Sequence, residues 1–343
     1  RTLGFTHSNL IGFVLDGRNK AGTGVRHAAR MYESNLLYRD VAFIDILNKG
    51  VSVGEKHPGN LETAETLFDN CLFLRCGRGI NIQSPNDYDF TFSGCEFRDC
   101  DYGIYNTAGN TYVRDCHFER SRTADIRSKA WHGTSFRRCT SFGSNMFLLY
   151  LDPTSGGVVQ DCWIEDWKNP GGAILLAGAP ILMMDSVFQK QTSNPPVRTS
   201  KRQIVVISNC RTSAGTSLFS PDHAGTVHEV PTGDLGGVMT SGRMSFLHSG
   251  ILEDSLLLDA RQDFNAVGDG KADDTEALQN MIDAARNAGK QTIAYLPVGT
   301  YRVTQTLNIS GADWQLQGSG EQSKIEWGDR DWSKASDLVK RIP

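Results

Sequence analysis

The sequence predicts an all-β solenoid: a right-handed parallel β-helix with coils of about 23 residues, followed by the N-terminal cap helix and first strands of a second β-helix. Three observations predict it. Cysteines recur at coil-length intervals. Short alternating strands recur at a steady offset from them. A different helix-and-strand pattern begins only near residue 259.

The cysteine series comes first. Cys71, Cys95, Cys116, Cys139 and Cys162 are separated by 24, 21, 23 and 23 residues, and the next 48 residues reach Cys210 with Ser186 at the midpoint. Self-similarity at a period of roughly 20 to 50 residues marks stacked repeats. The flanks repeat as well: Phe68-Asp69-Asn70-Cys71-Leu72-Phe73 matches Phe92-Ser93-Gly94-Cys95-Glu96-Phe97 and Val113-Arg114-Asp115-Cys116-His117-Phe118. A second strand follows each cysteine, as in Gly79-Ile80-Asn81-Ile82, Gly103-Ile104-Tyr105-Asn106 and Asp125-Ile126-Arg127. Alternation of period two makes these strands, and the Gly, Asn, Asp and Ser between them are turn residues.

One coil cannot bury its own inner face, but stacked coils can, at roughly 4.8 Å per coil. The cysteines then form an internal file of small apolar groups. Zinc ligation wants close Cys-x-x-Cys pairs, and none is present. Disulfides between coils are the other reading, but in-register side chains pointing the same way fit disulfide geometry poorly. Reduced thiols are expected.

Composition agrees with a soluble domain. The 343 residues are 39% apolar and 22% charged, with 35 glycines and a net charge of −4. That balance argues against a nucleic-acid partner. No run of about 18 apolar residues occurs, so no membrane insertion is expected. The longest apolar stretch, from Ala173 to Met184, is broken by Gly178 and Pro180. No secretion signal stands at Arg1.

Between Gly225 and Gly250 the repeat fades into Gly-rich text such as Gly233-Asp234-Leu235-Gly236-Gly237, which reads as a linker or terminal cap. Asp263-Phe264-Asn265-Ala266-Val267-Gly268-Asp269-Gly270 follows, then Asp273-Asp274-Thr275-Glu276-Ala277-Leu278-Gln279. Asp273 and Glu276 have the spacing of a capping box. Leu278, Met281, Ile282 and Ala285 form one helical stripe. Thr292–Leu296, Tyr301–Val303 and Leu307–Ile309 read as strands around the Pro297-Val298-Gly299-Thr300 turn. Gly268-Asp269-Gly270 with Asp273 and Asp274 has the look of a calcium loop but lacks the full spacing, and no metal or other cofactor is expected.

The stretch from Asp263 to Ile309 resembles the opening motif of the pectate-lyase-like β-helix superfamily. It matches at Asp263, Phe264, Ala266, Gly268, Asp269, Gly270, Asp273, Asp274, Thr275, Ala277, Gln279, Pro297, Gly299 and Tyr301, and departs at Asn265 and Leu296. In that family the motif opens a module, yet here it follows some eight coils. The resemblance therefore implies two modules: residues 1–250 as a β-helix without its start, and 251–343 as the beginning of a second without its end. This tandem is similar to two-helix exo-β-1,3-glucanases. A circularly permuted single helix is the alternative.

For function, the resemblance implies a carbohydrate-active protein, secreted or periplasmic, with a polysaccharide as partner. Such β-helices use the outward face of one sheet. If Ile80, Ile104 and Ile126 point inward, then Asn81, Gln83, Tyr105, Asp125, Arg127 and Lys129 point outward. The next coil adds Tyr150 and Asp152, and Trp131 and His132 lie close by. Asp125 and Asp152 on neighbouring coils are the expected catalytic carboxylates of a glycoside hydrolase. Tyr105, Arg127, Lys129, Trp131, His132 and Tyr150 are the expected substrate-binding residues. Arg127 and Lys129 would equally suit a lyase acting on an acidic sugar. The competing functional class is a non-catalytic glycan-binding or structural β-helix of the phage tail-spike kind. The structural reading of each residue is a solvated surface charge, or for Asp152-Pro153 a turn start.

Overall fold

Parallel strand pairing carries each coil onto the next. The computed structural model describes residues 8–27, 35–54, 63–84, 87–190, 195–212, 217–220, 223–229, 256–288, 292–311, 314–328 and 337–341. Leu36–Ile44 pairs with Ala64–Asp69 and Leu72–Leu74, which pair in turn with Tyr88–Ser93 and Glu96–Arg98. The series continues to Ile204–Ser208 and Thr226–Glu229. A second sheet of ten strands stacks Thr23–His27, Lys49–Val53, Arg78–Ile82, Tyr102–Asn106, Ala124–Ser128, Leu148–Tyr150, Ile174–Leu176 and Val197–Thr199. The fold is the parallel β-helix that the spacing predicts.

The late segment is joined to this stack. Trp314–Gly318 and Ser323–Trp327 pair with Ser8–Asp16, and Asp337–Arg341 pairs with Thr23–His27. Thr292–Leu296 and then Leu256–Asp259 lie beyond Trp314–Gly318. Coils late in the sequence thus come first in space, the order of a permuted stack. The expected linker at Gly233–Gly237 lies outside the described residues.

The interior is a set of in-register files. Cys71, Cys95, Cys116, Cys139 and Cys162 are buried free thiols, as expected. Burial pushes the Cys71 and Cys139 thiols up, which keeps them protonated. Ser186 occupies the next place in the file, its hydroxyl accepting from the Cys162 backbone N–H at 3.2 Å. The residue before each of these turns the corner in the left-handed region: Asn70, Gly94, Asp115, Arg138, Asp161 and Asp185 have φ between 49° and 61°. Asn, Asp and Gly tolerate that conformation best. Arg138 does not, but its guanidinium holds Asp115 of the preceding coil through bonds of 2.7 and 2.9 Å.

A second file shows how volume is shared between facing walls. Phe43, Phe73, Phe97 and Phe118 stack with ring centroids 4.8, 4.8 and 4.9 Å apart. Opposite them stand glycines: a Cβ at Gly103 would lie 2.9 Å from the Phe118 ring, and one at Gly79 would lie 2.8 Å from Phe97. At the next coil Ser141 takes the place of Phe118, and Asp125 takes the place of glycine.

The helix Thr275–Asn287 buries Leu278, Met281, Ile282 and Ala285 over the first coils, covering an end that would otherwise be open. The capping box expected of Asp273 and Glu276 does not form, because the helix starts after Asp274, and neither this residue nor Glu276 makes a side-chain cap bond. Asp273 accepts instead from the Thr275 N–H at 3.1 Å and the Thr304 hydroxyl at 2.5 Å. Asp274 turns back to accept from the N–H groups of Val267 and Gly268 at 2.6 and 3.1 Å. Asp269 accepts from Lys271 and Ala272 of its own turn. The acidic loop is thus occupied by backbone donors, and no group of metal-ligating side chains occurs among the described residues.

Two outcomes are expected. Ser141→Phe should destabilise by about 1–3 kcal/mol through overpacking against Asp125, and Ser141→Phe with Asp125→Gly should recover most of the loss in urea unfolding. A double variant no better than the single one would contradict the shared-volume account. Titration with a thiol reagent in denaturant, without reductant, should find all eight cysteines free.

Candidate functional site on the outward face of the ten-stranded sheet

The glycine bend decides which side chains leave this sheet. In Tyr102–Asn106 the burial runs half-buried, buried, buried, half-buried, buried, so Tyr102 and Tyr105 face out while Gly103, Ile104 and Asn106 face in. Two successive inward residues interrupt the period of two. Asp125 and Ile126 occupy the places of Gly103 and Ile104, so Asp125 faces the interior and not the solvent.

Asp125 is fully buried and accepts from the Ser141 hydroxyl at 2.5 Å. Burial, partly offset by serine hydroxyls, pushes its pKa up to about 7. Tyr150 is buried in register with Ser128, leaving Leu149 outward, and its hydroxyl donates to the Ser155 carbonyl at 2.9 Å. Asp152 is buried too, accepting from the Ser128 hydroxyl at 2.8 Å, the Ala130 N–H at 2.6 Å and the Thr134 hydroxyl at 3.2 Å. Burial pushes it up to about 6. The expected carboxylate pair and Tyr150 therefore serve the interior; an alternation carried through the bend put them on the wrong face.

The remaining expected residues do come to the surface. Tyr105 and Arg127 are in register on adjacent strands, with the guanidinium 4.6 Å from the ring centroid. Arg78 closes over the same ring at 3.7 Å and donates to the Asn81 side-chain oxygen at 2.6 Å. That bond and the overlying side chain bury Asn81, which was expected to be exposed. Tyr102 meets Tyr105 edge-on at 5.1 Å. Lys129, Trp131 and His132 are exposed just past the end of Ala124–Ser128, and the hydroxyls of Thr154 and Ser155 donate to the Trp131 carbonyl.

Arg78, Lys49 and Tyr102 were missed in the sequence. Their signal was there: each precedes the glycine of Lys49-Gly50-Val51, Arg78-Gly79-Ile80 or Tyr102-Gly103-Ile104. Among the strands of this sheet whose side chains are described, Arg26, Lys49, Arg78, Arg127 and Arg198 stand against one acid, the inward Asp125. A cationic face on a chain of net charge −4 suits an anionic ligand. Flanking aromatic rings offer stacking surfaces.

Family comparisons agree with this architecture. Residues 59–211 match the family described as right handed beta helix region. Residues 260–331 match rhamnogalacturonase A/epimerase, pectate lyase-like. The two matches and the stack of parallel coils support the right-handed parallel β-helix superfamily. It is similar to mannuronan C5-epimerase AlgE3 of Azotobacter vinelandii, at 43% identity over 74 residues, covering 22% of this chain and 4% of that protein. It is similar to alginate lyase 7 of the same organism, at 60% over 43 residues, covering 12% and 5%. A structure of the PL6 family alginate lyase AlyGC overlaps 99% of this chain and 69% of its own at 8% identity and a TM-score of 0.23. No described helix is long and apolar enough to cross a membrane.

The buried carboxyl has a pH consequence. The folded pKa of Asp125 is raised, so the associated stability is present below its unfolded value and is lost as pH rises through about 7. Asp125→Asn is expected to stabilise at pH 8 by up to about 4 kcal/mol and to change little at pH 4. Thermal unfolding at both values checks it; an equal effect at the two would contradict the assignment.

Proposed function

We propose that the outward face around Arg78, Tyr105 and Arg127 binds an acidic polysaccharide, a uronate chain of the alginate type, and that the protein modifies it. The single observation behind this reading is the concentration of cations, with aromatic rings between them, on one sheet of an otherwise acidic chain. The names of the similar proteins, mannuronan C5-epimerase and alginate lyase, point to the same substrate.

Lyase and epimerase chemistry share a first step. A cation neutralises the uronate carboxylate, and a base removes the C5 proton beside it. In a lyase the electron pair then forms the C4–C5 double bond, the C4–O4 bond breaks, and O4 takes a proton. In an epimerase a proton returns to C5 from the opposite face. Arg78 and Arg127 suit the first role. Lys129 and His132, exposed two and five residues after Arg127 in the chain, suit proton transfer, and Trp131 and Tyr105 suit stacking. Asp125 and Asp152 are buried and take no role in this reading, which favours lyase or epimerase chemistry over hydrolysis. An alginate substrate lies outside the cytoplasm, which agrees with a secreted or periplasmic protein.

Arg78→Ala and Arg127→Ala are each expected to weaken polyuronate binding about tenfold, since one charge-assisted contact contributes on the order of 1.4 kcal/mol. Calorimetric titration with alginate and with a neutral β-glucan checks it. Binding of alginate that both variants retain in full would remove this face from the proposal. Ultraviolet absorbance of an unsaturated product would identify a lyase, and an altered mannuronate-to-guluronate ratio without cleavage an epimerase.

A further inference from the structure

A different wall of the coil presents a different chemistry. The short strands Glu96–Arg98, His117–Glu119, Thr140–Phe142 and Trp163–Glu165 stack in register within the larger sheet. In each the middle residue is buried and its two neighbours face out. The outward side chains fall into two rows along the stack. His117, Thr140 and Trp163 follow one another in the first, and Glu119, Phe142 and Glu165 in the second.

Two aromatic rings stand on this wall. Phe142 is 45% exposed. An exposed apolar residue standing alone is ordinary, but here the next coil holds an indole in a set pose. Trp163 is half-buried, and its Nε1–H donates to a Glu165 side-chain oxygen at 3.0 Å. Outward positions two apart on a strand are separated by about 6.6 Å. An indole that reaches Glu165 therefore lies down along its own strand, with one flat face on the sheet and the other turned to solvent. In the coil before, the His117 ring nitrogen Nδ1 lies 2.7 Å from the Thr140 hydroxyl, which sets the imidazole beside this platform.

The polar groups around the rings are mostly acceptors. Glu96, Glu119 and Glu165 face out from these strands against one arginine, Arg98. Arg98 is shared between Glu96 at 2.6 Å and Glu119 at 3.6 Å, and Arg120 holds Glu119 from the corner. The Glu165 carboxylate accepts from the indole N–H and pairs with no cation among the described residues. Burial holds the His117 imidazole below its ordinary pKa, so it adds no charge at pH 7. A polyuronate would be repelled here. A sugar bearing hydroxyls in place of carboxylates fits: its C–H face stacks on flat rings, and its hydroxyls donate to charged acceptors.

From these rows we infer that the wall around Phe142, Trp163 and Glu165 binds a neutral, hydroxyl-rich glycan. It is an anchoring strip on which no bond is made or broken. It is separate from the cationic face, so the protein can hold a neutral polymer while an acidic one occupies the ten-stranded sheet.

Cellohexaose, mannohexaose and xylohexaose are titrated calorimetrically into the protein, with hexamannuronate as the acidic comparison. At least one neutral hexaose is expected to bind saturably. Phe142→Ala and Glu165→Gln, each checked for the parent's midpoint in urea unfolding, should weaken that binding about fivefold, and leave hexamannuronate binding unchanged. Arg78→Ala and Arg127→Ala should leave the neutral sugar's affinity unchanged. Three results would overturn the inference: no saturable binding of any neutral hexaose, binding that both Phe142→Ala and Glu165→Gln retain in full, or neutral binding lost with Arg78 or Arg127. Neutral binding that depends on Phe142, in a protein that does not bind hexamannuronate, would remove the acidic-glycan proposal and leave this strip in place.

Discussion

Parallel coils must stack in register, and every other feature of this molecule is arranged around that constraint. Neighbouring coils place like positions about one strand spacing apart, so the interior is filled file by file. A file of equal rings stacks well, as Phe43, Phe73, Phe97 and Phe118 do, but only if the facing file yields the space. Gly50, Gly79 and Gly103 yield it, since a Cβ at each would fall within 3 Å of a phenylalanine ring. When the ring is replaced by Ser141, the vacated volume admits the Asp125 carboxyl. A polar group enters the core at that coil because the ring does not.

The same register organises the surface. Residues scattered by more than twenty positions in sequence become neighbours on one face. Arg78, Tyr105 and Arg127 come from three successive coils and form one stack of guanidinium, phenol ring and guanidinium. Opposite charges do the same at the corners, where Arg75 holds Asp45 and Arg120 holds Asp99. Those corner cations are neutralised by acids of adjacent coils. The strands of the ten-stranded sheet whose side chains are described carry no outward acid, and this difference is what favours that face in the proposal of an acidic glycan.

Much of this was legible in the sequence. The cysteine period revealed the coil, the Gly-Ile strands revealed the second sheet, and the Asp263–Ile309 motif marked the start of a cap. What stayed hidden depends on one local departure from alternation. Two inward residues in succession at Gly103-Ile104 shift Asp125 inside, and a one-residue offset at Leu148–Tyr150 turns Tyr150 inward. A strand with period two reverses its faces on a one-residue slip, so an error of one position exchanged buried carboxylates for surface ones. Spatial order was hidden too, because a sequence does not say whether its last coils precede or follow its first.

The account rests on the claim that the cationic sheet face receives the glycan. A crystal structure of the protein with an unbranched mannuronate oligomer tests it most directly. The account predicts sugar density along the outward face of Arg78–Ile82, Tyr102–Asn106 and Ala124–Ser128, with uronate carboxylates within hydrogen-bond distance of Arg78 and Arg127. Well-ordered oligomer density over another sheet, with Arg78 and Arg127 still closed on Tyr105, would contradict it.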